Sequence, residues 1–508
     1  LTHKAILTQK QSGVLLSYLN LIAKNIVTLA YTPILLRLLG QSQYGLYQMV
    51  NSVIISLTLL DLGFGSAYIR FYAKAQVSDD PDAERKLNGL YLLIFSFLAL
   101  LSLIIGYLLV VNESRLFGTT LSVSELRTTK ILMIMMILNV ALTFISSVFD
   151  SNIIAHSQFK FQRSRQLFQT IITPILTIPL LLIGFKAISI VLVQTVVTVF
   201  FLFLNVRFSM RKLHMRFYFK KLDFSLLREV FVFSFFIFLN QIIDQVNWNL
   251  PSFLLGMLSG ARDVAIFAVA NQIKNIFISL STTLSGVFAP EINEIVTTSD
   301  DNIRLTKIMT KVGMMQSTVL TFILGGFIVL GKFFICVWAG KEYKDAYWLS
   351  IILVVPFYVT LVQNTGYEII RAKNIHQFRA VVEFIFSLAN IGITVFAIKK
   401  WGLYGSVVGT VLTFVVVSWL IMNWFYQVRA KLNMFYFWRK VGVTLIPGAV
   451  STTYLLIISK LYPIKSIVSF IGLGCIYTVI FVIVLCIIML TNNWFDDIKK
   501  YTNRRGNN

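Results

Sequence analysis

Ile54-Ile55-Ser56-Leu57-Thr58-Leu59-Leu60-Asp61-Leu62-Gly63-Phe64-Gly65-Ser66-Ala67-Tyr68-Ile69 is an apolar run with one carboxylate at its centre. Lys24, Asp244 and Lys274 occupy comparable places in three other apolar runs. A charge at the middle of a membrane helix costs about 2.5–3.5 kcal/mol on insertion scales. Such residues persist where they face a water-filled cavity or a partner, so they point to a solute pathway. The chain reads first as a transporter.

Composition supports a membrane setting. Of 508 residues, 57% are hydrophobic and only 13% charged, and mean hydropathy is +0.77. Soluble domains carry about 25% charged residues. Apolar stretches of about 20 residues recur along the chain and read as membrane helices. We place fourteen, at 13–38, 45–73, 88–111, 129–154, 166–185, 188–206, 229–256, 263–288, 308–331, 346–370, 380–398, 402–425, 441–459 and 466–490. The expected fold class is an all-α polytopic membrane protein. The first stretch carries Asn20, Lys24 and Asn25 and is expected to be a span, not a cleaved signal.

The net charge of +23 lies mostly in short loops between apolar runs. Most of the 45 lysines and arginines fall on the side shared by both termini, which the positive-inside pattern makes cytoplasmic. That distribution argues against a nucleic-acid partner. The densest stretch runs from Arg207 to Lys221, with aromatics between the bases. It is expected to lie on an anionic membrane surface. Cys336, Cys475 and Cys486 have no metal-ligand spacing, and no cofactor or metal is expected. Glu113, Glu125, Glu342 and Asp345 in the short outer loops make no convincing paired-carboxylate site. The chain is therefore not expected to be an enzyme.

A shift of 220 residues pairs Tyr18-Leu19-Asn20 with Phe238-Leu239-Asn240, Lys24 with Asp244, Gly40 with Gly260 and Asn51 with Asn271. We read two parallel six-helix halves: 1–211, then 229–428 after a basic linker at 212–228, with two further helices and a cytoplasmic tail over 429–508. Transporters commonly hold substrate between such repeats. Polar residues recur at helical spacing on the equivalent helices. Span 1 has Ser17, Asn20, Lys24, Thr28 and Tyr31, and span 2 has Tyr47, Asn51, Thr58, Asp61, Tyr68 and Tyr72. Span 7 has Ser234, Gln241, Asp244 and Trp248, and span 8 has Asn271, Lys274, Ser281 and Ser285. In lipid these stripes should turn inward and bound a cavity. The alternative is a structural ion pair, such as Lys24 with Asp244, locking the halves together.

Pro33-Ile-Leu-Leu-Arg-Leu-Leu-Gly40, Tyr44-Gly-Leu-Tyr47 and Leu59-Leu-Asp-Leu-Gly-Phe-Gly-Ser-Ala-Tyr-Ile-Arg70 resemble recurring segments of bacterial Wzx-type polysaccharide flippases. These belong to the multidrug/oligosaccharidyl-lipid/polysaccharide exporter superfamily. The resemblance implies alternating access around a central cavity. It implies transfer of an undecaprenyl-diphosphate-linked oligosaccharide from the inner to the outer leaflet of the bacterial plasma membrane, for capsule, exopolysaccharide or O-antigen synthesis. Lys24 and Lys274 would then meet the diphosphate, with Arg70 at the cytoplasmic entrance. Asn20, Asn51, Asn271, Tyr31, Tyr68 and Trp248 would meet the sugars. Asp61 and Asp244 would gate the path or couple it to protons or sodium, and membrane lipids and glycosyltransferase or polymerase machinery would be partners. A lipid II flippase and a multidrug–cation antiporter are the alternatives within the superfamily, with a scaffold or membrane glycosyltransferase behind them.

Overall fold

A computed structural model describes residues 2–219 and 224–491; within these, side chains are not described at 2–15, 18, 224–226, 232–233, 235–237, 239–240 and 243–244. The described residues form helices and turns without a strand. Helices satisfy every mid-segment backbone group internally, which hydrocarbon demands. Among the described residues, ten helices are long and apolar enough to cross a membrane, or eleven with one bent pair taken as a span. The expected count of fourteen is not reached by that measure. Expected spans 1 and 2 fall in one run, Leu19–Gln76, and expected spans 11 and 12 fall in another, Gln377–Val428.

The helices are α1 (Thr2–Ile54), α2 (Phe64–Gln76), α3 (Ala83–Val111), α4 (Glu113–Phe117), α5 (Val123–Ala155), α6 (Phe159–Ile183), α7 (Lys186–Arg211), α8 (Phe224–Trp248), α9 (Leu250–Leu258) and α10 (Ala261–Gly286). There follow α11 (Ala289–Thr298), α12 (Asn302–Trp338), α13 (Ala346–Val362), α14 (Asn364–Ala372), α15 (Gln377–Trp401), α16 (Gly405–Phe414), α17 (Met422–Val428), α18 (Met434–Val443), α19 (Leu445–Leu461) and α20 (Ile467–Thr491). The α1 helix kinks at Gly40, whose φ of 73° is cheap only without a Cβ. The α13–α14 pair bends by 42°.

Contacts divide the chain into two compact units. The first comprises Leu1–Ala268 and Ile391–Ser406, the second Val269–Asn390 and Val407–Asn508. The first unit has an aromatic core in which Tyr68 meets Tyr91 edge-on at 5.0 Å and Phe64 meets Phe95 at 6.5 Å. Tyr68 is also held by polar bonds. Its hydroxyl donates to Asn88 Oδ1 at 2.5 Å and accepts from Asn152 Nδ2 at 2.9 Å. In the second unit Leu330, Leu455, Leu473, Tyr477 and Phe481 pack together, and Tyr477 donates to the Phe322 carbonyl at 2.8 Å.

The described part of the basic linker is tied to the protein. Met215 is buried and Phe217 packs against the aromatic core. The Tyr218 N–H donates to the Arg85 carbonyl at 3.0 Å. Gly89 permits that approach, because a Cβ there would lie 2.3 Å from the Tyr218 carbonyl oxygen. Arg207, Arg211, Lys212 and Arg216 remain exposed.

Candidate functional site

The site forms where the second apolar run breaks. Ile55–Asp61 is a tight 3₁₀ turn, followed by Leu62 and Gly63 with φ of 49° and 76°. Two left-handed residues in succession end one helical ladder before α2 starts at Phe64. Gly63 adopts this conformation freely, whereas Leu62 is strained. Restarting a helix leaves its first amides without intrahelical acceptors. The Asp61 carboxylate accepts from the backbone N–H groups of Gly63 and Gly65, at the positive end of the helix dipole. Asp61 therefore supports the start of α2, whose N-cap residue is Gly63.

Asp61 also lines a cavity of about 540 Å³ within the first unit. Thr58, Thr143, Ser147, Gln241, Gln245, Trp248 and Asn249 share its wall, with Leu59, Val140 and Phe144. Gln245 Nε2 donates to Ser56 Oγ at 2.7 Å, and Asn249 Nδ2 donates to Gln245 Oε1 at 2.9 Å. The chain of bonds sets Gln245 of α8, and Asn249 just after it, against the 3₁₀ turn. Gln241 Oε1 is buried without a hydrogen-bond partner. The Thr143 and Ser147 hydroxyls donate to carbonyls one turn earlier, at 2.8 and 2.9 Å, which leaves their lone pairs as acceptors. The wall thus offers amides, hydroxyl acceptors, one carboxylate and one indole.

Four of the residues expected on inward-facing stripes, Thr58, Asp61, Gln241 and Trp248, come together on this cavity. The span 1 stripe instead meets α6. Asn20 Nδ2 donates to Gln166 Oε1 at 3.4 Å, and Thr170 Oγ1 donates to Asn20 Oδ1 at 3.3 Å. Lys24, one turn beyond, is exposed, while Tyr31 and Asn51 are partly buried. Tyr68 is enclosed in the aromatic core with both hydroxyl bonds made inside it. Arg70 is exposed on α2, one turn before Lys74, which pairs with Glu229 at 2.8 Å. In the second unit Lys274 is only 4% exposed, and the Oδ1 of Asn271, one turn earlier, is buried without a hydrogen-bond partner. The side chain of Asp244 lies outside the described residues.

Sequence reasoning missed Thr143, Ser147, Gln245 and Asn249. Their signal was present: Asn139, Thr143 and Ser147 recur every four residues in apolar α5, as do Gln241, Gln245 and Asn249 from α8 onward. Uncharged polar stripes carry the same inward-facing logic as charged ones.

The fold has solved relatives. A lipid II flippase MurJ in an inward closed conformation superposes with a TM-score of 0.74 at 15% identity, covering 94% of this chain and 99% of the relative. An inward-facing multidrug resistance MATE transporter of the MOP superfamily gives 0.59 at 14% identity, covering 80% and 94%. A Vibrio cholerae MATE transporter gives 0.55 at 10%, covering 85% and 100%. The search of curated proteins returned no match. The profile of the polysaccharide biosynthesis protein family matches residues 11–296, more than half of the chain. With its helical bundle built like those of flippases and transporters, this multi-pass membrane chain belongs to the polysaccharide biosynthesis protein family.

Proposed function

We propose that the protein is a flippase for polyprenyl-diphosphate-linked oligosaccharides, moving them from the inner to the outer leaflet of a bacterial plasma membrane with both termini cytoplasmic. The observation that carries this reading is the cavity of amides, hydroxyls and one indole inside an apolar bundle. Polar walls at membrane depth are tolerated where they line a path. Sugar hydroxyls both donate and accept, so they suit Gln241, Gln245, Asn249, Thr143 and Ser147. The Trp248 ring offers an apolar face for the carbon–hydrogen side of a pyranose. Lys24 and Lys274 are assigned to the diphosphate, and Arg70 to its entry. Lys274 is buried here, so its part in the cycle requires α10 to open. Asn20, Asn51, Asn271 and Tyr31 extend the polar path along their helices. We assign Asp61 to gating through the start of α2, and Asp244 to gating or proton or sodium coupling.

The competing substrate class is a small organic cation, as for a multidrug antiporter. The described wall carries a single carboxylate among amides and hydroxyls, which favours the neutral sugar. Lipid II has the same diphosphate-sugar chemistry and is the nearer alternative. The test is leaflet transfer of a fluorescent polyprenyl-diphosphate oligosaccharide in proteoliposomes. Gln245→Ala and Trp248→Ala should each raise the half-saturating concentration about three- to tenfold, the loss of one or two ligand contacts. Unchanged saturation in both would remove the sugar from this cavity.

A further inference from the structure

We propose that the segment Glu113–Ser122 is a latch that holds one end of the first unit closed, against a contact that parts during each transport cycle. The proposal rests on the transport reading above and not on the choice of substrate. The short α4 helix and the turn after it are anchored by Phe117 and Leu121, 0% and 8% exposed. On one side the latch holds α9. Thr120 Oγ1 donates to the Gly256 carbonyl at 3.0 Å, and Phe117 meets Phe253 edge-on at 6.3 Å. Gly260, with φ of 96°, comes so near that a Cβ would lie 3.3 Å from the Thr120 carbonyl oxygen. On the other side it holds the second arm of α1. Ser122 forms a capping box with Glu125, and the same Glu125 accepts from Ser42 Oγ at 2.5 Å.

Under the latch the helices touch through glycines. A Cβ on Gly45 would lie 1.8 Å from the Ala261 carbonyl oxygen, and one on Gly256 would lie 2.5 Å from Met49 Cγ. Such a seal is tight in one arrangement and has few bonds to break in parting. It is also joined directly to the cavity. Asn249 on the wall is the N-cap residue of α9, and Pro251 stiffens the first turn. Movement of α9 away from α1 therefore carries Asn249 and Trp248 with it, so opening this end reshapes the cavity wall. The positive-inside pattern puts this end outside, where a flipped head group would leave.

The test uses the full chain in proteoliposomes with Cys336, Cys475 and Cys486 replaced by Ser. Met49→Cys is labelled by a membrane-impermeant maleimide only when the contact parts. Thr120→Val removes the hydrogen bond from the turn to α9 and should raise that rate about threefold. Thr120→Ser, which keeps the hydroxyl, should leave it unchanged. In the Met49→Cys/Gly256→Cys pair the two Cβ atoms would lie 3.5 Å apart, within the range of about 3.5–4.5 Å for a disulfide. Oxidation should stop glycolipid transfer and reductant should restore it. An unaltered labelling rate in Thr120→Val, or transfer by the crosslinked protein at the reduced rate, would overturn the latch. If no variant moves the glycolipid but labelling still responds to Thr120→Val, the latch stands and the substrate assignment fails.

Discussion

At the residue scale, Asp61 shows how one side chain serves two purposes. A carboxylate in an apolar run reads from sequence as a functional charge. Asp-Leu-Gly-Phe-Gly also spells a helix restart, with an acceptor placed for the amides of Gly63 and Gly65. Two substitutions separate the roles. Asp61→Ala leaves both amides without an acceptor and should cost about 0.5–2 kcal/mol of stability, read as a lower melting temperature in detergent. Asp61→Asn keeps an acceptor oxygen and should melt near wild type, while slowing transfer if the charge gates the path. Equal melting temperatures for the two variants would refute the role at the start of α2. Tyr68 shows the limit of a stripe argument. Helical spacing puts it on the same face as Asp61, yet a large ring among Tyr91, Phe95 and two asparagines is core. Periodicity gives a face, and only packing tells whether that face meets a cavity or another helix.

At the element scale, the long helices were legible because apolar length and the absence of strand patterning leave little choice in a membrane. The breaks were less so. Gly40 marks the kink between the first two expected spans, and Leu62–Gly63 marks the restart of α2, but neither announces its angle in the sequence. The linker after α7 was legible as basic and was expected on lipid. Its docking depends on Gly89, whose role is visible only once the Tyr218 carbonyl is seen against it. Gly89→Ala should push the linker off α3 at a cost of about 1–3 kcal/mol, the usual penalty of overpacking. Limited trypsin digestion should then cut faster after Lys212 and Arg216. An unchanged digestion pattern would show that the linker tolerates the methyl group without moving.

At the scale of the whole molecule, membrane character was readable from the scarcity of charge, and a polysaccharide-synthesis family from the segment from Pro33 to Arg70. Family membership and the shared fold agree with that reading. The wall of the cavity is partly legible: Thr58, Asp61, Gln241 and Trp248 lie on the stripes that helical spacing gives, whereas Thr143 and Ser147 on α5, Gln245 on α8 and Asn249 do not. Sequence order also hides that Asn20 is bonded to α6, 146 residues away along the chain. The proposed transfer assigns the exposed Lys24 and the buried Lys274 to the diphosphate of the substrate. Its most direct test is leaflet transfer of a polyprenyl-diphosphate oligosaccharide in proteoliposomes by wild type, Lys24→Ala and Lys274→Ala, each checked for folding by its melting temperature. Transfer by wild type is expected, with a fall of at least about tenfold in each folded variant, the loss of a charge-assisted contact. Transfer at the wild-type rate in both variants would contradict that assignment.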